Sequence, residues 1–486
     1  MTMQSDTCTR ADARELTEAV PALEYFQGRL LGPDDEDFAE RRLLVDRRHD
    51  CTPALIAECA SVADVGDALR YARTAALPVA VRSGGHSFRG LSTVDDGVVI
   101  DVSQLRDVHV DAARRTARIR PGARLGDIAR ATERYGLAAV TGSLADVGFG
   151  GLASVSGRGP LSRRHGHACD NVLSADLMLA TGEQLTVSAT SDPDLFWALR
   201  GAGDSFGVIT SFEVALHPIP EVVHTGSFTF AVETLPQVVA RLEARDRQIS
   251  EDCMWHGLLM APPGGQTEFV VEYTHVGSAD QYELDLDLLS SIGVPLTQQH
   301  RSCTYPELFH PDDSSPNTGP DGLAVSTTYS RAYLAGCEFD TISAPGLADI
   351  LLDLAGEMDK APDAVRSGRM VEFGSKAFGV SREVSPPSVY PKSDGYSLLI
   401  QVYYTDAAQD DIQKRFADTG ITRLVAAGLT RGGMNLTAPN WTSELTTETV
   451  REIFGDHSYR RLQQLKAVWD PNDVFRRSIG IRPAGG

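Results

Sequence analysis

Short apolar runs set the rhythm of the N-terminal half of the chain. Pro78–Val81 and Gly97–Val102 read as buried strands, and Ala54–Cys59 is strand-like in the same way. Ala63–Ala76 carries apolar residues at helical spacing, and Leu125–Tyr135 does the same. Val108–Val110 and Thr116–Ile119 alternate as strands, and Ser174–Val187 has the pattern of a hairpin turning at Thr181-Gly182. Ser191-Asp192-Pro193 is a start signal that predicts a short helix over Asp194–Arg200, and Gly207–Leu216 follows as a long strand. His217-Pro218-Ile219-Pro220 then marks a boundary. Beyond it, strand-like Gly226–Ala231, Thr267–Thr274, Ala324–Tyr329 and Tyr396–Tyr404 alternate with helical Pro236–Arg247 and Ala344–Met358. That order predicts an antiparallel sheet with helices on one side, and an α+β fold overall.

Size and charge narrow the picture. With 486 residues the chain has room for two or three domains. A formal net charge of −21 argues against nucleic acid or an anionic membrane as the main partner, since both call for a basic face. No stretch approaches ~18 consecutive apolar residues, so no membrane span is expected. The N-terminus is polar and lacks an apolar signal core, which gives a cytoplasmic expectation. The 7 cysteines show no CxxC pair, and the 12 histidines no HExxH spacing. Reduced thiols are expected, and no metal.

Candidate chemistry centres on Arg82-Ser83-Gly84-Gly85-His86-Ser87, set between the two strand-like runs. Adjacent glycines let the backbone turn and bring its N–H groups close to an anion. Arg82 adds a fixed positive charge, and His86 presents a nucleophilic imidazole. Phosphate-binding backbone beside a presented histidine suits a nucleotide cofactor that also needs a covalent tether. A second glycine-rich stretch holds Gly148, Gly150, Gly151, Gly157 and Gly159 among apolar flanks.

Three blocks, VAVRSGGHSFRGLS, VGFGGLASVSGRGPLSRRHGHACDNV and DPDLFWALRGAGDSFGVITSFEVALHP, occur in that order. Together they resemble the berberine-bridge-enzyme-like oxidoreductases of the vanillyl-alcohol-oxidase type. The resemblance implies a discontinuous, two-part PCMH-type FAD-binding domain with a substrate domain inserted. On that pattern residues 1–24 are a lead-in, 25–220 the FAD-binding domain and 221–440 the substrate domain, while 441–486 return to the FAD domain. It also implies that His86 bonds to the 8α-methyl of FAD. Arg82, Ser83, Gly84, Gly85 and Ser87, with Val147, Gly148, Gly151, Leu152, Gly157 and Gly159, would surround the flavin and its diphosphate. Val208 and Ile209 would lie near the adenine or ribose end. Relatives often add a cysteinyl link, but its matching position is Leu144, so one covalent link is expected. Cys169 reads as a small buried residue. Val147 matches a position that governs oxygen access and has the permissive form.

The resemblance points to the strand Leu398–Tyr404 for the catalytic groups. Alternation places Gln401 and Tyr403 on one face of it. Tyr390 and His256 are further polar candidates on the inserted domain. Three stretches depart from the family pattern: Gly433-Met434-Asn435-Leu436, Arg477-Ser478-Ile479-Gly480-Ile481 and Ser154-Val155-Ser156-Gly157. The function implied is an FAD-dependent oxidoreductase of secondary metabolism, taking a hydride from a small natural-product intermediate and passing electrons to O2. A non-redox cyclisation or rearrangement on the same flavin scaffold, and a drug-binding resistance protein, remain open alternatives.

Overall fold

The computed structural model describes residues 23–262, 264–309, 329–374, 387–391, 395–431 and 442–485. Its first sheet contains β1 (Arg29–Leu31), β2 (Leu55–Glu58), β3 (Val79–Arg82) and β4 (Val98–Asp101), in the order β1-β2-β4-β3. β4 runs parallel to both β2 and β3, while β1 pairs antiparallel with β2. Every residue of β2 and β4 is buried, as parallel strands covered on both faces require. The crossover helix Val62–Thr74 starts at Ser61, whose hydroxyl accepts from the Asp64 N–H while Asp64 answers in a capping box.

A second sheet follows: β5 (Val108–Asp111), β6 (Thr116–Ile119), β7 (Leu137–Ala139), β8 (Val172–Met178), β9 (Gln184–Ser188) and β10 (Val208–Pro218). Its order is β5-β6-β10-β8-β9, with β7 also on β10. β8 and β9 form the expected hairpin, with Gly182 at positive φ in its turn. The helix foreseen at Asp194–Arg200 spans Pro193–Ala202. The Asp192 side chain does not cap it; Pro193 in the first turn, with its φ already helical, sets the start instead. The second glycine stretch also differs from a plain loop, since Phe149–Val155 is helical.

The third sheet is antiparallel throughout and has seven strands: β11 (Val223–Phe230), β12 (Cys253–Met260), β13 (Glu268–His275), β14 (Thr297–Cys303), β15 (Arg331–Phe339), β16 (Arg369–Gly374) and β17 (Tyr396–Tyr404). The order is β14-β11-β13-β12-β16-β17-β15. Of the expected strand Ala324–Tyr329, residues 324–328 lie outside the described residues. Alternation splits the side chains of each central strand between two environments. Leu398, Ile400 and Val402 pack with Val371 and Phe373 against the helices Leu235–Asp246, Leu347–Lys360 and Asp410–Ala426. Leu334, Met370 and Tyr403 face the other way, where Phe88 and Leu144 of the N-terminal half meet them. The sheet is therefore covered on both faces, by its own helices and by the first two sheets.

The chain then returns. Helix Thr447–Trp469, interrupted at Gly455 (φ 72°), adds Ile453, Phe454, Tyr459 and Leu462 to the core of the second sheet. Its Lys466 is fully buried, with Nζ 2.6 Å from Asp470 Oδ2 and 2.6 Å from the Ser205 carbonyl oxygen. Removing one partner of such a pair strands a buried charge, at a cost of about 3–5 kcal/mol. Lys466→Ala is therefore expected to lower stability by about that amount, measured as a drop in the urea midpoint. Arg460→Ala, on an exposed pair of the same helix, should leave the midpoint within error.

Candidate functional site

A cavity of about 290 Å³ lies where the third sheet meets the first two. One wall is made by the loop after β3 and the segment that ends in helix Phe149–Val155. A Cβ on Gly84 would stand 2.3 Å from the Gly148 nitrogen, and one on Gly148 would stand 2.2 Å from Ser83 Oγ. The two stretches thus touch backbone to backbone, which no larger residue allows. Gly85 holds φ 76°, a conformation that favours glycine. Ser83 Oγ donates to the Pro121 carbonyl at 2.6 Å and pins the first loop.

Most of the residues singled out in these two stretches meet here. Ser83, Gly84, Gly85, His86, Ser87, Val147, Gly148, Gly151 and Leu152 line the cavity, as does Leu144. Four do not. Arg82 turns its guanidinium to Asp101, with Nη2 and Nε 2.6 and 2.8 Å from Oδ2, so its charge is neutralised inside the first sheet. Gly157 packs on Leu152 and Ala168, and Gly159 on the carbonyls of Thr141 and Gly142. Val208 belongs to the apolar core of the first sheet, although its neighbour Ile209 does line the cavity. Cys169 is buried and also absent from the lining.

His86 is held from one side. Its Nε2 lies 3.2 Å from Asp146 Oδ2, while its buried Nδ1 has no hydrogen-bond partner among the described residues. Burial alone would raise the Asp146 carboxyl, but the hydrogen bond to His86, with the Arg124 charge, leaves it below its ordinary range. An ionised Asp146 favours the Nε2–H tautomer, leaving Nδ1 with the lone pair.

The opposite wall belongs to the third sheet. Leu334, Glu372, Leu399, Gln401 and Tyr403 face the cavity, together with Arg158 from the second glycine stretch. The Tyr403 hydroxyl donates to Gln401 Oε1 at 2.6 Å, and Gln401 Nε2 donates to Glu372 Oε2 at 2.5 Å. Arg158 Nη2 and His256 Nδ1 both meet Glu372 Oε1, at 2.6 and 2.8 Å. Burial would push Glu372 up, yet the His256 hydrogen bond and the Arg158 charge reverse that and bring it from 4.5 down to about 2. Glu372 is therefore a fixed negative charge at neutral pH and orients Gln401. His256 stands behind it, outside the lining. Tyr390 is not in the lining either: its ring centroid is 4.5 Å from that of His167, and its N–H donates to the Arg200 carbonyl at 3.2 Å. Gly433-Met434-Asn435-Leu436 lies outside the described residues.

Sequence reasoning missed Glu372 and Arg158. Arg158, the one charge between Asp146 and Arg163, carried a local signal, whereas Glu372 sits near Arg366, Arg369 and Lys376 and carried none. Arg158 stands between two glycines that had been singled out, while Glu372 lies on a strand that had not been foreseen.

The depressed pKa fixes the sign of a pH effect. Glu372 gives stability that is present above its unfolded pKa, roughly 4.3, and is lost as pH falls through about 2. Glu372→Gln should lower the unfolding midpoint at pH 7, by about 3–5 kcal/mol as for a broken buried pair. The gap to the parent should narrow below pH ~4.3. A gap that widens on acidification would contradict the assignment.

Comparison with known proteins bears on the same residues. Residues 53–188 match a family model described as an FAD binding domain, and residues 434–482 one described as berberine and berberine like. The chain is 31% identical over 463 residues to (R)-6-hydroxynicotine oxidase of Paenarthrobacter nicotinovorans, covering 95% of this chain and 98% of that protein. The solved structure of 6-hydroxy-D-nicotine oxidase from Arthrobacter nicotinovorans matches with a TM-score of 0.84 at 30% identity, over 95% of this chain and 99% of that one. BBE-like 1 of Physcomitrella patens shares the fold, with a TM-score of 0.79 at 20% identity, over 95% of this chain and 97% of that one. The chain belongs to the FAD-linked oxidoreductases of the vanillyl-alcohol-oxidase type, within their berberine-bridge-enzyme-like group.

Proposed function

We propose that this FAD-dependent oxidoreductase is an O2-using oxidase of secondary metabolism, acting on a small natural-product intermediate with its flavin bonded to His86. The observation that carries the reading is the buried Nδ1 of His86, which has no hydrogen-bond partner among the described residues, in the wall of the cavity that also holds Tyr403, Gln401 and Glu372. The residues fit the cofactor. Gly84 and Gly148 let the two glycine stretches close on each other to form one wall, and Gly151 opens toward the cavity with nothing within 4 Å of its Cβ direction. None of the described cysteines lines the cavity, and Leu144 does, which supports a single link.

Bound there, FAD would supply a two-electron acceptor for a hydride from the substrate carbon, and the substrate's O–H or N–H proton would leave with it, so that the two electrons and two hydrogens balance the reduction of O2 to H2O2. The protein's own groups hold the substrate. The Tyr403 hydroxyl donates its hydrogen bond to Gln401 Oε1, which leaves the phenol oxygen's lone pairs to accept from a substrate O–H or N–H. Glu372 accepts from Gln401 Nε2 and so keeps the amide turned with its oxygen toward the Tyr403 hydroxyl. Leu334, Leu399, Leu144 and Phe88 supply apolar contact and exclude water. A cytoplasmic setting is part of the proposal, supported by free thiols at all six described cysteines.

The purified protein is expected to stay yellow after acid precipitation, and His86→Ala to lose that acid-stable colour. A candidate substrate should bleach the flavin without oxygen and release peroxide with it. Acid-stable flavin in His86→Ala would remove the proposed attachment, and turnover without bleaching would replace oxidation by a non-redox reaction.

A further inference from the structure

Arg82, the cation expected to face the cofactor's phosphates, is committed to Asp101, which leaves the question of what balances their charge. Two other arginines line the cavity on the flavin-domain side, Arg89 just after the first glycine loop and Arg477 in the returning C-terminal segment. Neither is ion-paired among the described residues. Arg477 donates from Nη2 to the Gly90 carbonyl, and its buried Nε has no protein partner. Ser92 Oγ, also in the lining, is buried and likewise without a partner. The one acidic side chain lining this side is Asp204, which accepts from the Ile479 N–H at 3.1 Å and whose carboxyl burial raises. Burial lowers Arg89 to about 10, with Asp204 acting in the opposite sense, so Arg89 remains protonated at neutral pH. With Arg158 and Glu372 neutralising each other on the opposite wall, this side presents two guanidinium groups against one carboxyl, Asp204, whose ionisation burial disfavours. A doubly charged anion restores the balance and takes up the unused donors.

We propose that Arg477, together with Arg89, is the cationic clamp for the diphosphate of FAD, in the role the sequence assigned to Arg82. The inference rests on the flavin reading above. It also gives a physical sense to Arg477-Ser478-Ile479, where the chain departs from the family's ending. A guanidinium offers several donors in a planar fork suited to phosphate oxygens, and charge-assisted bonds of that kind carry roughly twice the strength of neutral ones.

The test uses the full-length chain with His86→Ala, so that flavin binding is reversible, and titrates FAD and riboflavin separately. Adding Arg477→Gln is expected to weaken FAD binding about tenfold or more, with riboflavin, which has no phosphate, changing by less than about twofold. Arg477→Lys, which keeps the charge, should recover much of the FAD affinity. Equal weakening of both ligands would mean that Arg477 only supports the loop through Gly90, and unchanged FAD binding would remove it from the site; either overturns the proposal. If Arg477→Gln does not fold, Arg89→Gln is put through the same pair of titrations with the same criteria. A His86→Ala parent that takes up neither flavin would sink the flavin reading itself, and the clamp with it.

Discussion

The contact between Arg158 and Glu372 ties the architecture to the site. Arg158 comes from the stretch that wraps the first two sheets, and Glu372 from a central strand of the third. Both are almost wholly buried, so neither charge has water to fall back on. The pair therefore fixes how the two halves meet. Because Glu372 also receives Gln401 and His256, it orients the polar strip as well. Neighbouring links act in the same sense. Arg163 reaches Asp246 at 2.9 Å, and Asp246 in turn accepts from the Trp255 indole and the Tyr396 hydroxyl.

The strip exists because strand periodicity and burial act together. Tyr396–Tyr404 is buried at every position, so nothing in its exposure separates one face from the other. Its partner strand settles the matter: Leu399 pairs with Glu372, and Gln401 lies two residues along, within diagonal reach of that carboxylate. A one-residue slip would turn Glu372 toward the helices and Val371 into the cavity. Register is thereby tied to chemistry as well as to packing.

Much of the nucleotide-binding half was legible in the sequence, because its elements are punctuated. The runs around residues 79–82 and 98–101, the Ser61 start of the first helix and the turn at Gly182 are local signals, and the structure forms the elements they mark. The inserted domain was less readable. Cys253–Met260, Arg331–Phe339 and Arg369–Gly374 are covered on both faces and show no clean alternation, so periodicity had nothing to detect. Glu372 went unseen for that reason. Arg82 stands beside the glycines in sequence, but its guanidinium turns to Asp101 on the neighbouring strand, a partner that no local pattern reveals. Tyr390, in turn, was separated from Tyr403 by tertiary packing that no local pattern encodes.

The arginines that cross between the halves have one more consequence. Swinging the inserted domain away from the flavin domain would expose or strand several charges at once, Arg158 with Glu372 and Arg163 with Asp246 among them. A clamshell opening would therefore carry the cost of stranding two buried ion pairs together, about 3–5 kcal/mol for each. The same buried charges that join the two halves thus resist their separation, which keeps the facing walls of the cavity at a set spacing.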